Sequence, residues 1–173
     1  MTLDKLETAV RDIVDFPQPG IVFKDITPIL ADPALFAFAI DLMAEKLIDD
    51  KIDKIVGIDA RGFIFGTALA HKLNIGFIPV RKPGKLPSET VSESYDLEYG
   101  SNTLEIHSDA LSAGERVAIV DDLLATGGTA EATAKLVNRL GAIVVSQNFF
   151  MELGFLNGKD KISTSAIHSV LKV

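Results

Sequence analysis

Leu3, Leu6, Val10 and Ile13 recur at helical spacing, which predicts an amphipathic helix over residues 3–14. The period stops at Phe16-Pro17-Gln18-Pro19-Gly20, where two prolines and a glycine predict an extended, turning segment. Helix resumes at Asp32-Pro33. The carboxylate suits an N-cap, proline suits the first turn, and Leu35, Phe36, Ala39, Leu42, Met43 and Leu47 continue one apolar face. From Lys54 onward, short apolar runs alternate with helical periods. Strands are predicted at 54–58, 76–80, 117–121 and 142–150, and helices at 62–73 and 128–140, with Gly141 as a stop. The run Val117-Ala-Ile-Val lacks polar alternation, as expected of a strand covered on both faces. This order predicts one α/β domain over residues 1–173, a mostly parallel sheet flanked by helices.

Residues 82–102 break the rhythm. A polar stretch opens at Lys82-Pro83-Gly84-Lys85, and two strands are predicted at 96–99 and 103–107 around a Gly100-Ser101-Asn102 turn. An insertion of this kind reads either as an active-site lid or as a solvated hairpin.

Composition narrows the classes. With 47% hydrophobic residues, the 173-residue chain can bury a core. It has no cysteine, which removes disulfides, thiolate metal sites and cysteine nucleophiles. The net charge of −7 argues against a broad surface for nucleic acid or anionic membrane, though not against one local anion site. Neither a signal-peptide core nor a run of about 18 apolar residues is present, so a cytoplasmic protein is expected. His71, His107 and His168 are too scattered to suggest a zinc or iron site.

The strongest chemical signal is Val117-Ala-Ile-Val-Asp-Asp-Leu-Leu-Ala-Thr-Gly-Gly-Thr129. An apolar strand ends in Asp121 and Asp122, a turn of small residues follows, and a helix starts. Ligands of open α/β sheets bind beyond the carboxyl ends of strands, and a helix N-terminus suits a phosphate. Gly127 and Gly128 let the backbone approach, and Thr126 and Thr129 add hydroxyls. Two carboxylates would repel the phosphate itself; they suit sugar hydroxyls. The pattern therefore predicts a ribose 5-phosphate, with its phosphate on Ala125, Thr126, Gly127, Gly128 and Thr129 and its hydroxyls on Asp121 and Asp122. Arg61 and the Arg81, Lys82, Lys85 cluster follow two other predicted strands on the same edge. Each alone reads as a solvated basic turn; beside a phosphate loop they suit a second phosphate group.

The thirteen-residue string resembles the phosphoribosyl-pyrophosphate (PRPP) loop of the type I phosphoribosyltransferase family. Four more segments are similar to its adenine-specific branch: Phe16 to Pro28, Asp59-Ala-Arg-Gly-Phe63, Arg81 to Pro87, and Tyr95-Asp-Leu-Glu-Tyr-Gly100. The resemblance covers residues 16 to 129; the last forty or so residues carry no motif. It implies that family's fold, with a base-binding hood within residues 1–32 and a flexible β-hairpin lid at 82–102. It implies transfer of ribose phosphate from PRPP to adenine, with Mg²⁺ carried on PRPP, and a homodimer. Pyrophosphate would meet Asp59, Ala60, Arg61, Arg81, Lys82 and Lys85, and adenine would meet Val22, Phe23 and Lys24. Lys24 stands where the family usually has Arg. Ala125 stands where the hypoxanthine-guanine relatives usually have Asp, so a proton-handling group must come from elsewhere, or none is needed. The resemblance implies Glu98, with Tyr99 helping to close the lid and Arg61 assisting catalysis. A different purine, or a PRPP sensor without catalysis, are the alternatives.

Overall fold

The computed structural model describes residues 1–96, 100–163 and 166–173. The chain divides into two compact bodies, Met1–Leu42 and Met43–Val173.

In the first body, helix α1 covers only Leu3–Ala9, and the chain continues as strand β1, Arg11–Val14. The single helix expected over residues 3–14 is thus cut short. The reason is a partner that local periodicity cannot reveal: β1 pairs antiparallel with β2, Val22–Asp25. Arg11 faces Asp25 and Asp12 faces Lys24 in that register, and both pairs are ion pairs, at 2.5 and 2.7 Å. The proline-rich segment forms the connection, with a cis Phe16–Pro17 peptide and the Gly20 N–H donating to Asp15 Oδ1. Helix α2, Thr27–Ala31, follows. Helix α3, Pro33–Glu45, starts as expected: Asp32 Oδ1 accepts from the N–H groups of Ala34 and Leu35, at 2.8 and 3.0 Å.

The second body holds a five-stranded, fully parallel sheet. Its strands are β3 (Lys54–Ile58), β4 (Gly76–Val80), β7 (Arg116–Leu124), β8 (Ile143–Glu152) and β9 (Ala166–Lys172), in the order β4-β3-β7-β8-β9. Between β3 and β4 lies helix α4, Gly62–Leu73; between β7 and β8 lies α5, Gly128–Arg139. The strand expected at 117–121 runs on to Leu124, because β8 continues beside it and pairs with it as far as Glu152. Asp121 and Asp122 therefore lie within a strand. Val56, Ile58, Val117 and Ile119 pack with Leu136 and Val137 of α5 in the main core cluster. No helix of the described residues is long and apolar enough to cross a membrane.

The insertion is a hairpin of β5, Thr90–Asp96, and β6, Ser101–His107. The first arm begins before the predicted Asp96, and Ser101 and Asn102 belong to the second arm instead of the turn. Seven cross-strand pairs, from Thr90↔His107 to Asp96↔Ser101, outweigh the polar composition of the first arm.

Candidate active site

Parallel pairing places the carboxyl ends of β3, β4 and β7 on one edge of the sheet, where ligands of such sheets bind. Three segments meet there. The β3–α4 connection carries Asp59, Ala60 and Arg61, with a cis peptide between Asp59 and Ala60. The stretch after β4 carries Arg81 to Lys85. The β7–α5 connection carries Ala125 to Gly127.

The first two segments, the end of β7, the start of α5 and the hairpin enclose a cleft of about 330 Å³, lined by Asp59, Ala60, Arg61, Lys82, Tyr95, Asn102, Asp121, Asp122 and Thr129, among others. Two cations and three acids thus face one space, with Asp122 buried and Asp59 and Asp121 half-buried. Arg61 Nε lies 2.8 Å from Asp122 Oδ2, and the Asp122 side chain is almost wholly buried. Asp121 Oδ1 accepts the backbone N–H of Asp122 at 2.8 Å. Burial and then the Asp122 charge push the Asp121 carboxyl well above the ordinary 3.8. Burial raises Asp122 too, with the Arg61 guanidinium opposing.

Gly62 explains how α4 comes so near β7. A Cβ there would lie 2.7 Å from Asp121 Oδ1 and 3.0 Å from the Val120 carbonyl oxygen. A side chain at this position would displace the carboxylate that the cleft presents.

A smaller hollow of about 70 Å³ lies against Asp121 and the Ala125, Thr126, Gly127 and Thr129 connection. Gly127 adopts φ +82° at the start of α5, whose first turn has no side-chain cap. Its amide groups and the Thr126 and Thr129 hydroxyls can receive a phosphate. The Thr129 hydroxyl is 2.9 Å from the Tyr95 hydroxyl of the hairpin.

The basic residues after β4 are divided by the fold. Lys82 lines the cleft. Arg81 turns its Nε to Asp59 Oδ2 at 3.0 Å and stacks over the Phe63 ring. Its main chain bridges Glu105, whose carboxylate also accepts the Gly84 N–H. Lys85 is exposed, and its carbonyl accepts from Arg81. Arg81 thus braces the Asp59 loop. Glu98 and Tyr99 lie outside the described residues.

In the first body, Ile13, Phe16, Phe23 and Asp25 line an open cleft of about 240 Å³. Phe16 and Phe23 meet edge to face at 5.3 Å between ring centres. Val22 is 47% exposed, so β2 is not a buried strand. Lys24 Nζ is held by Asp12 at 2.7 Å.

Sequence reasoning missed the segment after β8. Short 3₁₀ turns at Gly154–Leu156 and Gly158–Lys161 bring Gly158 against the β7–α5 connection. Among short apolar and polar residues, the only local signal is Asn157-Gly158, a turn dipeptide without stated function.

Comparison with known proteins agrees with this geometry. The phosphoribosyl transferase domain family matches residues 26–147. The adenine phosphoribosyltransferase of Geotalea uraniireducens is 56% identical over 98% of this chain and 99% of its own. The crystal structure of the adenine phosphoribosyltransferase of Thermoanaerobacter pseudethanolicus superposes with a TM-score of 0.97 at 53% identity, covering 99% of this chain and all of that one. The Saccharomyces cerevisiae enzyme, solved with adenine and an imino-altritol bisphosphate, has a TM-score of 0.91 at 44% identity, with 97% of each chain covered. Loop, cleft and likeness over nearly the full length agree: the chain belongs to the phosphoribosyltransferase family, among the adenine phosphoribosyltransferases.

Proposed function

We propose that this chain transfers the 5-phosphoribosyl group of PRPP to adenine, giving AMP and pyrophosphate in purine salvage. The observation that carries the reading is the cleft in which Arg61 and Lys82 face Asp121, Asp122 and Thr129 beside an uncapped helix start.

The 5-phosphate sits on Ala125 to Thr129, and the ribose hydroxyls donate to Asp121 and Asp122. As the bond from the anomeric carbon to the pyrophosphate oxygen breaks, positive charge grows on the sugar and negative charge on the leaving group. The two carboxylates favour the first, and Arg61 and Lys82 the second. Arg81 and Lys85 extend the cationic side, Arg81 chiefly by holding Asp59, next to Ala60, in place. A nitrogen of adenine forms the new bond to the anomeric carbon and gives up its proton, which we assign to Glu98, with Tyr99 helping to cover the site. Adenine itself is assigned to Val22, Phe23 and Lys24, whose backbone groups and ring suit a flat, edge-polar ligand. Since Lys24 is tied to Asp12, its backbone is the part offered to the base.

Mg²⁺ belongs to the same reading. Among the described residues no three His, Cys, Asp or Glu side chains cluster to hold a metal. The two carboxylates suit a hydrated, oxygen-bound ion carried on PRPP, which Asp121 and Asp122 would steady from outside. When bound, the ion spreads the charge of the pyrophosphate. We further propose a single functional domain with residues 1–32 as the hood and 82–102 as the lid, a homodimer, and a cytoplasmic location.

Incubation with PRPP, Mg²⁺ and each of adenine, guanine and hypoxanthine tests the reading. AMP from adenine is the expected product. Absence of AMP overturns the assignment, and preference for another purine replaces the base.

A further inference from the structure

The segment after β8 touches the phosphate loop more closely than any side chain would permit. A Cβ on Gly158 would stand 2.2 Å from the Ala125 carbonyl oxygen and 3.1 Å from the Gly127 nitrogen. The approach is reciprocal, since a Cβ on Gly127 would stand 2.2 Å from the Gly158 carbonyl oxygen. Two more contacts fasten the same segment. Ile162 packs with Leu124 and Ala130, the residues that bracket the loop. Ser163 donates from its hydroxyl and its N–H to the Glu131 carboxylate in the first turn of α5, at 3.0 to 3.1 Å. An apolar contact, a backbone contact and a polar contact thus tie Gly158, Ile162 and Ser163 to the loop and its flanks. None of these three belongs to a motif, and the family match ends at residue 147.

We propose that Gly158 is a positioning residue for the 5-phosphate: its turn is the buttress that fixes the shape of the loop from Ala125 to Thr129. This rests on the PRPP reading above. A phosphate held by backbone amides depends on their aim, and a displacement near 1 Å is costly in such a site. The loop offers no cationic side chain of its own to compensate. With glycine at 158, the two backbones can lie in contact, and the amides are held in place before the substrate arrives.

Gly158→Ala tests the proposal in the full chain. The added methyl must push the loop or the turn aside. KM for PRPP is expected to rise roughly tenfold or more, with KM for adenine unchanged and kcat within roughly threefold. A turn that only held the fold together would lower kcat with the folded fraction and leave KM untouched, and that result overturns the proposal. Should Gly158→Ala not fold, Ser163→Ala decides. It removes the hydroxyl contacts to Glu131 without changing charge. A rise of roughly twofold to threefold in KM for PRPP, with faster amide exchange at 126–129, supports the buttress; no change in either refutes it. Wild-type enzyme run alongside separates this from failure of the functional reading, because the latter gives no AMP from any variant.

Discussion

Two adjacent carboxylates, Asp122 buried and Asp121 half-buried, resist ionisation, and the proposed ribose contacts call for the ionised pair. Asp121 is raised well above 3.8 by burial and by the charge of Asp122, so its ionised form opposes the fold. The sign follows: the penalty is absent below 3.8, grows as pH rises, and is complete above the raised value. Asp121→Asn should therefore raise the melting temperature at pH 7 by roughly 2–4 °C, while KM for PRPP increases. The gain should shrink as the pH of the calorimeter run is lowered toward 4. A melting temperature that falls at neutral pH would show that the carboxylate supports the fold. The residues themselves were largely legible, because Asp-Asp followed by Ala-Thr-Gly-Gly-Thr is one continuous string. What the string could not reveal is the partnership across the cleft. Arg61 read as a pyrophosphate ligand and stands, in the structure, against Asp122; Arg81 read the same way and braces Asp59.

At the scale of elements, α4 and β7 are brought together by the absence of one atom. Gly62→Ala would place a methyl 2.7 Å from Asp121 Oδ1, too close for either element to keep its place. Such overpacking should cost about 1–3 kcal/mol, seen as a lower urea midpoint with unchanged slope. An unchanged midpoint would mean that the carboxylate swings freely. The elements that sequence pattern located well are the ones marked by an unbroken apolar run or a helical period: β3, α4, β4 and α5 fall where that pattern put them. The misplaced ones answer to distant partners. Residues 11–14 leave the helix because Val22–Asp25 is there to pair with them, and β7 outruns its apolar run because β8 continues beside it. Segment 154–163 carries no period at all, since its role is to lay backbone against backbone.

Across the second body, α5 is engaged at both ends. Its first turn follows the phosphate loop. Near its far end, Arg139 binds the Glu93 carboxylate and the Ser92 carbonyl of the hairpin, and Lys135 approaches Glu93 at 3.7 Å. Twelve residues of helix span about 18 Å, so the hairpin is held at two separated points, by Arg139 and by the Tyr95–Thr129 contact. A phosphate on the loop would take the Thr129 hydroxyl proton and so fix Tyr95 as the donor in their contact. This makes the hairpin a place from which occupancy can be read by light. Because the chain has no cysteine, Ser92→Cys supplies a sole thiol on an exposed strand position. An environment-sensitive dye attached there should change its emission as PRPP is added, saturating at the concentration that saturates turnover. A dye indifferent to PRPP would show that hairpin and loop respond independently. With a responsive dye, the protein serves as an optical gauge of free PRPP, with signal and catalysis drawn from the two ends of one helix.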